Sequence, residues 1–119
     1  MRTDTLTRAE QIARLNDRAR MGLDCTALIT FTRGFRAAFC GDDTPGGILA
    51  QAEALKAIRG HVFKTDAHGE RDFGELEFRG RRVWFKIDCY AANLEYGSDD
   101  PADASITRRV VTIMLPEDY

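Results

Sequence analysis

The stretch Glu75-Leu76-Glu77-Phe78-Arg79-Gly80-Arg81-Arg82-Val83-Trp84-Phe85-Lys86-Ile87-Asp88-Cys89-Tyr90 decides the fold. Its side chains alternate with period two, and on a β-strand successive residues point to opposite faces. Val83, Phe85, Ile87 and Cys89 therefore share an apolar face, while Trp84, Lys86, Asp88 and Tyr90 share a chemically equipped one. Residues 75–79 repeat the alternation, and Gly80-Arg81-Arg82 between the two runs predicts a hairpin. Leu76 and Phe78 should join the apolar face. Glu75, Glu77 and Arg79 should join the other, where cross-strand Glu–Lys and Arg–Asp pairs are expected.

Upstream, Thr7-Arg8-Ala9-Glu10 fits a capping box opening a helix over residues 6–21, with Asp4 as a competing cap. Ile12, Leu15 and Ala19 recur at helical spacing, with Leu23 just beyond, and Gly22 suits the C-terminal cap. Thr26, Ile29, Thr30, Phe31 and Thr32 are β-branched or aromatic, so residues 25–32 read as a strand that Gly34 ends. Phe35, Ala37, Ala38 and Phe39 are apolar enough to stay packed. Residues 41–47 are rich in turn formers. A second helix over 48–59 buries Ile48, Ala52, Leu55 and Ile58, widened by Leu49. A polar, acidic loop spans 93–105, and a last strand covers 109–115. The order α-β-α-β-β-β predicts an α+β fold: an antiparallel sheet of about four strands with two helices on one face. The other sheet face is left to solvent or to a partner.

The chain has 119 residues, which suits one domain spanning residues 1–119. An apolar fraction of 44% argues against disorder. The net charge of −2 argues against non-specific attraction to nucleic acid or membrane. Residues 61–119 carry 8 basic and 12 acidic groups, so acidic surface belongs to the second half. Cys25, Cys40 and Cys89 are odd in number and form no C-x-x-C pair, which excludes a disulfide framework or a Cys-rich zinc site. The N-terminus leads into a charged helix rather than an apolar leader, and no stretch approaches the roughly 20 apolar residues of a membrane span. A cytoplasmic protein without membrane contact is expected.

Asp66-Ala67-His68-Gly69-Glu70-Arg71-Asp72 sets an imidazole and three carboxylates at every second position. A Ca²⁺ loop starting at Asp66 fails, because His68 and Arg71 fall where an oxygen ligand and glycine are required. His68, Glu70 and Asp72 are the weak candidates for a transition metal. The alternative is a hydrogen-bonded loop whose carboxylates pair with Arg71 and with backbone N–H groups. His68 with Asp72 or Asp88 has the residue types of an acid–base pair, with Cys89 or Ser98 as a nucleophile. Cys89, however, falls on the apolar face, where a thiol is inert. His61 follows the second helix as a C-terminal cap. Arg81-Arg82 and Arg108-Arg109 contact phosphate only if they converge. Trp84, Lys86, Asp88 and Tyr90 form either an open binding face or one covered by the loop at 93–105, with Lys86 and Asp88 paired.

Leu15-Asn16-Asp17, His68-Gly69-Glu70 with Asp72-Phe73-Gly74, Trp84-Phe85-Lys86-Ile87-Asp88 with Tyr90, Tyr96-Gly97-Ser98 with Asp100-Pro101-Ala102-Asp103, and Leu115 with Asp118-Tyr119 occur in order. This set resembles a family of small alphaproteobacterial proteins described only as a domain of unknown function and carried on plasmids and integrative conjugative elements. The chain departs from that pattern at Arg71, where the family has a second His, and at Cys89-Tyr90, where it has two aromatics. Residues 33–45 match poorly. The resemblance implies a mobile-element setting, and a family metal site using the second His would be compromised here.

The first reading is therefore a non-enzymatic protein-binding accessory factor of a bacterial mobile element, with an anti-defence or regulatory role and no cofactor. Its binding residues are Glu70, Asp72, Trp84, Lys86, Asp88, Tyr90, Asp99 and Asp100. Its partner is a protein encoded by the host or the element, or a second copy meeting the open sheet face. The alternative is a small metal-assisted hydrolase or nuclease centred on His68, Glu70, Asp72 and Asp88. A second alternative is nucleic-acid binding, which the acidic neighbours disfavour.

Overall fold

A computed structural model describes residues 6–41 and 44–119. It contains α1 (Arg8–Arg20), β1 (Leu28–Phe31), α2 (Arg33–Phe39), α3 (Thr44–Arg59), β2 (Phe73–Phe78), β3 (Arg81–Ala91), β4 (Thr107–Met114) and a 3-10 turn at Pro116–Asp118. The fold is α+β. The strands run β1-β4-β3-β2 across one sheet. β2–β3 and β3–β4 are antiparallel, but β1 lies parallel to β4, so the sheet is mixed rather than purely antiparallel. The reason lies in the connection. The long crossover from β1 through α2 and α3 carries the chain over the sheet, which permits a parallel neighbour. Among the described residues no helix is long and apolar enough to cross a membrane.

Local chemistry explains each boundary. Thr7 accepts from the Glu10 N–H and Glu10 accepts from the Thr7 N–H, completing the capping box; Asp4, the rival cap, lies outside the described residues. At the other end Gly22 adopts φ 78°, and the N–H groups of Gly22 and Leu23 donate to Ala19 and Arg18 in a Schellman arrangement. That turn carries Leu23 away from the core, and it is exposed rather than part of the stripe. β1 starts later than residue 25 because Asp24 accepts from both the N–H and the hydroxyl of Thr26, closing a turn there.

The region after β1 departs furthest from expectation. Gly34 does not end a strand; it sits in the first turn of α2, capped by the Thr32 hydroxyl on the Phe35 N–H. A Cβ at Gly34 would fall about 2.2 Å from Asp118 Oδ1, so only glycine admits that carboxylate. Asp118 in turn accepts from the Thr32 hydroxyl and the Leu115 N–H, fastening the C-terminus to the start of α2. α3 begins at Thr44 rather than Ile48, since proline is tolerated in a first turn where its N–H is not needed. Asp42 and Asp43 of the expected turn lie outside the described residues. The buried side of α3 is Gly47, Ala50, Ala54 and Ile58, while Ile48 and Leu49 are exposed. Small residues let the helix approach closely: a Cβ on Gly47 would lie 3.1 Å from that of Cys40.

The core forms between the three helices and one sheet face. Val83, Phe85, Ile87, Val111 and Ile113 meet Phe31, Phe35, Ala54 and Ile58. Phe35 centres an aromatic cluster with Phe31, Phe39 and Phe78 at ring separations of 5.0, 4.8 and 6.0 Å.

Candidate functional site

β3 separates the two chemistries as its alternation predicts. Val83, Phe85 and Ile87 are buried, while Trp84, Lys86, Asp88 and Tyr90 are half-buried on the opposite face. β4 extends that outer face, with Met114, Thr112, Val110 and Arg108 opposite those four residues in order. A shallow groove of about 440 Å³ crosses it, bordered by Lys86, Asp88, Tyr90, Val110, Thr112 and Tyr119. Among the described residues no α-helix and no residue of the loop at 93–105 lines this groove. That loop instead runs along the edge of β3, where the Ser98 N–H donates to the Cys89 carbonyl and the Ala91 N–H to the Tyr96 carbonyl, and its other bonds join Ser98 to Thr107, Asp100 to Arg8, and the Pro101 carbonyl to Arg109. Tyr119 leans on the outer face, its ring 6.0 Å from Trp84 and 5.9 Å from Lys86 Nζ.

The pairing on this face differs from expectation because the hairpin turn does. The turn residues are Arg79 and Gly80 (φ 51° and 81°), a two-residue loop of the primed type that matches strand twist. Arg79 is thereby removed from the face and pairs with Glu53 on α3. Lys86 stands opposite Phe73, so it pairs along its own strand with Asp88 at 2.9 Å. The Asp88 hydrogen bond raises the Lys86 pKa. Glu75 accepts from Trp84 Nε1 at 2.7 Å and also pairs with Arg82.

The acidic residues do not gather beside this face. Ile87 N–H donates to the Asp72 carbonyl, which places Asp72 opposite Ile87 and on the helix-side parity. Glu70 contributes its carbonyl to Asn16 Nδ2. Asp99 is exposed, whereas Asp100 is held by Arg8 and by the Ala102 N–H. His68 is exposed, and no hydrogen bond joins it to Asp72 or Asp88. Among the described residues no group of three or more His, Cys, Asp or Glu side chains is placed to hold a metal ion. The arginine doublets are also dispersed: Arg109 is buried, Arg108 donates to the Thr26 carbonyl, and Arg81 and Arg82 pair with Glu117 and Glu75.

What anchors the His68–Asp72 loop is a polar hub on α1. Asn16, 1% exposed, donates to the Glu70 carbonyl and accepts from Arg109 Nε at 2.7 Å. Asp17 accepts a two-pronged bond from Arg71 and a third from Arg20. Arg71 holds φ 51°, uncommon for a non-glycine residue, with its N–H on Asp66. So Arg71 pairs with Asp17, and the loop carboxylate Asp66 takes its N–H. Arg20 reaches on to the carbonyls of Ile58 and Arg59, satisfying the C-terminus of α3. Burial pushes the Cys89 thiol up, which keeps it protonated beside Asn16. His61 packs edge-on against Phe63 and Phe85, and burial followed by the nearby Arg20 charge lowers its pKa. The sequence signal for the hub was Leu15-Asn16-Asp17, a polar pair set beside an apolar helical stripe.

Residues 31–118 match the model of a family described as protein of unknown function (DUF3768). The chain belongs to this family. The matched span includes the His68–Gly74 and Trp84–Tyr90 stretches together with β2, β3 and β4, but only the last residue of β1, and it leaves out α1 and with it Asn16 and Asp17. No curated protein and no solved structure gives a significant match.

Proposed function

We propose that this protein is a non-enzymatic binding module, a cytoplasmic accessory factor of a bacterial mobile element with an anti-defence or regulatory role. It engages a protein of the host or of the element through the outer face of its sheet. The mobile-element setting rests on the family resemblance described above. The binding role rests on one observation: the core lies on one face of the sheet, leaving Lys86, Asp88 and Tyr90 half-buried around an open groove on the other, with Trp84 half-buried beside it. Aromatic groups beside a partly desolvated charge pair are the composition from which interface hot spots are built. The exposed position of His68 and the dispersal of the arginines leave the metal-enzyme and nucleic-acid readings without a comparable feature.

The test is affinity capture from host lysate with wild type and with the Lys86→Glu/Tyr90→Ser variant, whose folding is checked by circular dichroism. A protein held by wild type and lost by the folded variant is the expected result. Equal retention by both would rule out the outer face as the binding site.

A further inference from the structure

The sheet ends in two edges of different character. β1 is four residues long and runs at once into α2, a short edge of the kind that resists further pairing. β2 is longer, and among the described residues no strand pairs with its far side. In an antiparallel ladder, opposed residues alternate between hydrogen-bonded and non-hydrogen-bonded pairs. The Ile87–Asp72 bond fixes the phase, so Gly74, Leu76 and Phe78 bond to β3. The N–H and C=O groups of Phe73, Glu75 and Glu77 then point outward, and no backbone group among the described residues meets them. A groove of about 370 Å³ lies along this edge, between His61, Val62, Lys64 and Thr65 on one side and Phe73, Gly74 and Glu75 on the other. It continues past Glu75 into a second of about 470 Å³ beside Leu76, Glu77 and Arg82.

Charge selects the occupant. Outward-pointing residues pair with one another across a new antiparallel edge. In a second copy of β2, centring the pair on Glu75, Leu76 or Glu77 always sets at least one glutamate opposite another, which is destabilising. Glu75 already has Arg82 and Trp84 as partners, whereas Glu77 makes no ion pair or side-chain hydrogen bond among the described residues. We propose that the free edge of β2 accepts an extended, basic segment of a partner protein as a fifth strand. Main-chain bonds to Phe73, Glu75 and Glu77 hold it, and lysine or arginine at alternate positions faces the two glutamates. Its other side chains lie beside Leu76. This edge is separate from the outer-face groove of the proposed function and stands without it.

The experiment uses a capped heptapeptide of alternating lysine and valine, with a glutamate–valine peptide as control, at physiological salt. Binding is followed by fluorescence anisotropy and by amide hydrogen exchange. The expected result is slowed exchange at Phe73, Glu75 and Glu77 with the basic peptide alone. Glu77→Lys should weaken binding about tenfold, the effect of turning an attractive cross-strand pair into a repulsive one. Glu77→Pro should abolish the protection while leaving the β3 ladder intact, because its N–H faces away from β3. The Lys86→Glu/Tyr90→Ser variant should bind the peptide as wild type does. Three outcomes overturn the proposal: no binding, binding without protection of those amides, or protection that rises with protein concentration in the absence of peptide. The last would make a second copy the occupant.

Discussion

The two faces of β3 differ in how their polar groups are treated. On the helix side, a ring of Asn16, Asp17, Arg20, Arg71 and Arg109 is buried or partly buried, and each polar side chain is used several times. On the outer side, Lys86 and Asp88 are about a third exposed and have each other. Lys86 and Asp88 come from β3 itself, whereas the helix-side ring is supplied by α1, the loop before β2 and β4, so the difference lies in what is packed above each face. Buried polar groups must be satisfied internally, whereas groups on an open face can use water and remain available to a partner. The helix side is therefore built for integrity and the outer side for exchange.

The largest effect should come from the hub. Asn16→Ala leaves Arg109 Nε and the Glu70 carbonyl without their partner in a buried place. It should cost about 2–4 kcal/mol in denaturant unfolding, the range for leaving two buried hydrogen-bonding groups, one of them charged, without that partner. A loss below about 1 kcal/mol would mean that Arg109 finds water, and the contrast between the faces would collapse. Next comes Gly74→Ala. A Cβ there would lie 2.2 Å from the Phe85 ring, directly opposite on β3, and overpacking of this kind costs about 1–3 kcal/mol. An unchanged melting temperature would show that the ring moves freely.

Acidification sharpens the comparison further. Burial raises the Asp17 pKa, but hydrogen bonds from Arg71 and Arg20 outweigh it and leave the carboxyl below its ordinary 3.8. His61 is held below 6.5 by burial and by Arg20. For both groups the unfolded chain takes up the proton first, so folding stability falls as pH drops. The loss begins below about pH 6.5 through His61 and resumes near pH 4 through Asp17. Asp17→Asn should flatten the acidic limb of a stability-against-pH curve, and His61→Phe the near-neutral one. If the curves superimpose on wild type, neither group carries the linkage. The smallest effect should be Lys86→Ala, which removes a solvated ion pair on the outer face and should change stability by no more than about 1 kcal/mol. A larger cost would mark that face as structural.

Much of the candidate site was legible because it depends on local rules. Alternation alone placed Trp84, Lys86, Asp88 and Tyr90 together, and the capping box at Thr7 announced α1. The errors arose where a residue's role depends on something distant in sequence. Gly34 reads as a break until the Asp118 carboxylate, brought from the far end of the chain, is seen to need its space. Asp72 and Asp88 look like neighbours in a cluster, but the hairpin register sets them on opposite sides of the sheet. Nothing around Asn16 and Asp17 in the sequence names their partners, which come from residues 70, 71 and 109.

The sequence by itself determined the α+β class, the two-faced strand and the helix caps, since periodicity and capping are properties of a few consecutive residues. Only the tertiary structure decided that β1 runs parallel to β4, that Tyr119 rather than the loop at 93–105 leans on the outer face, and which polar residues are buried. Those outcomes depend on how separate elements share one core, and no local pattern encodes that balance of packing and desolvation.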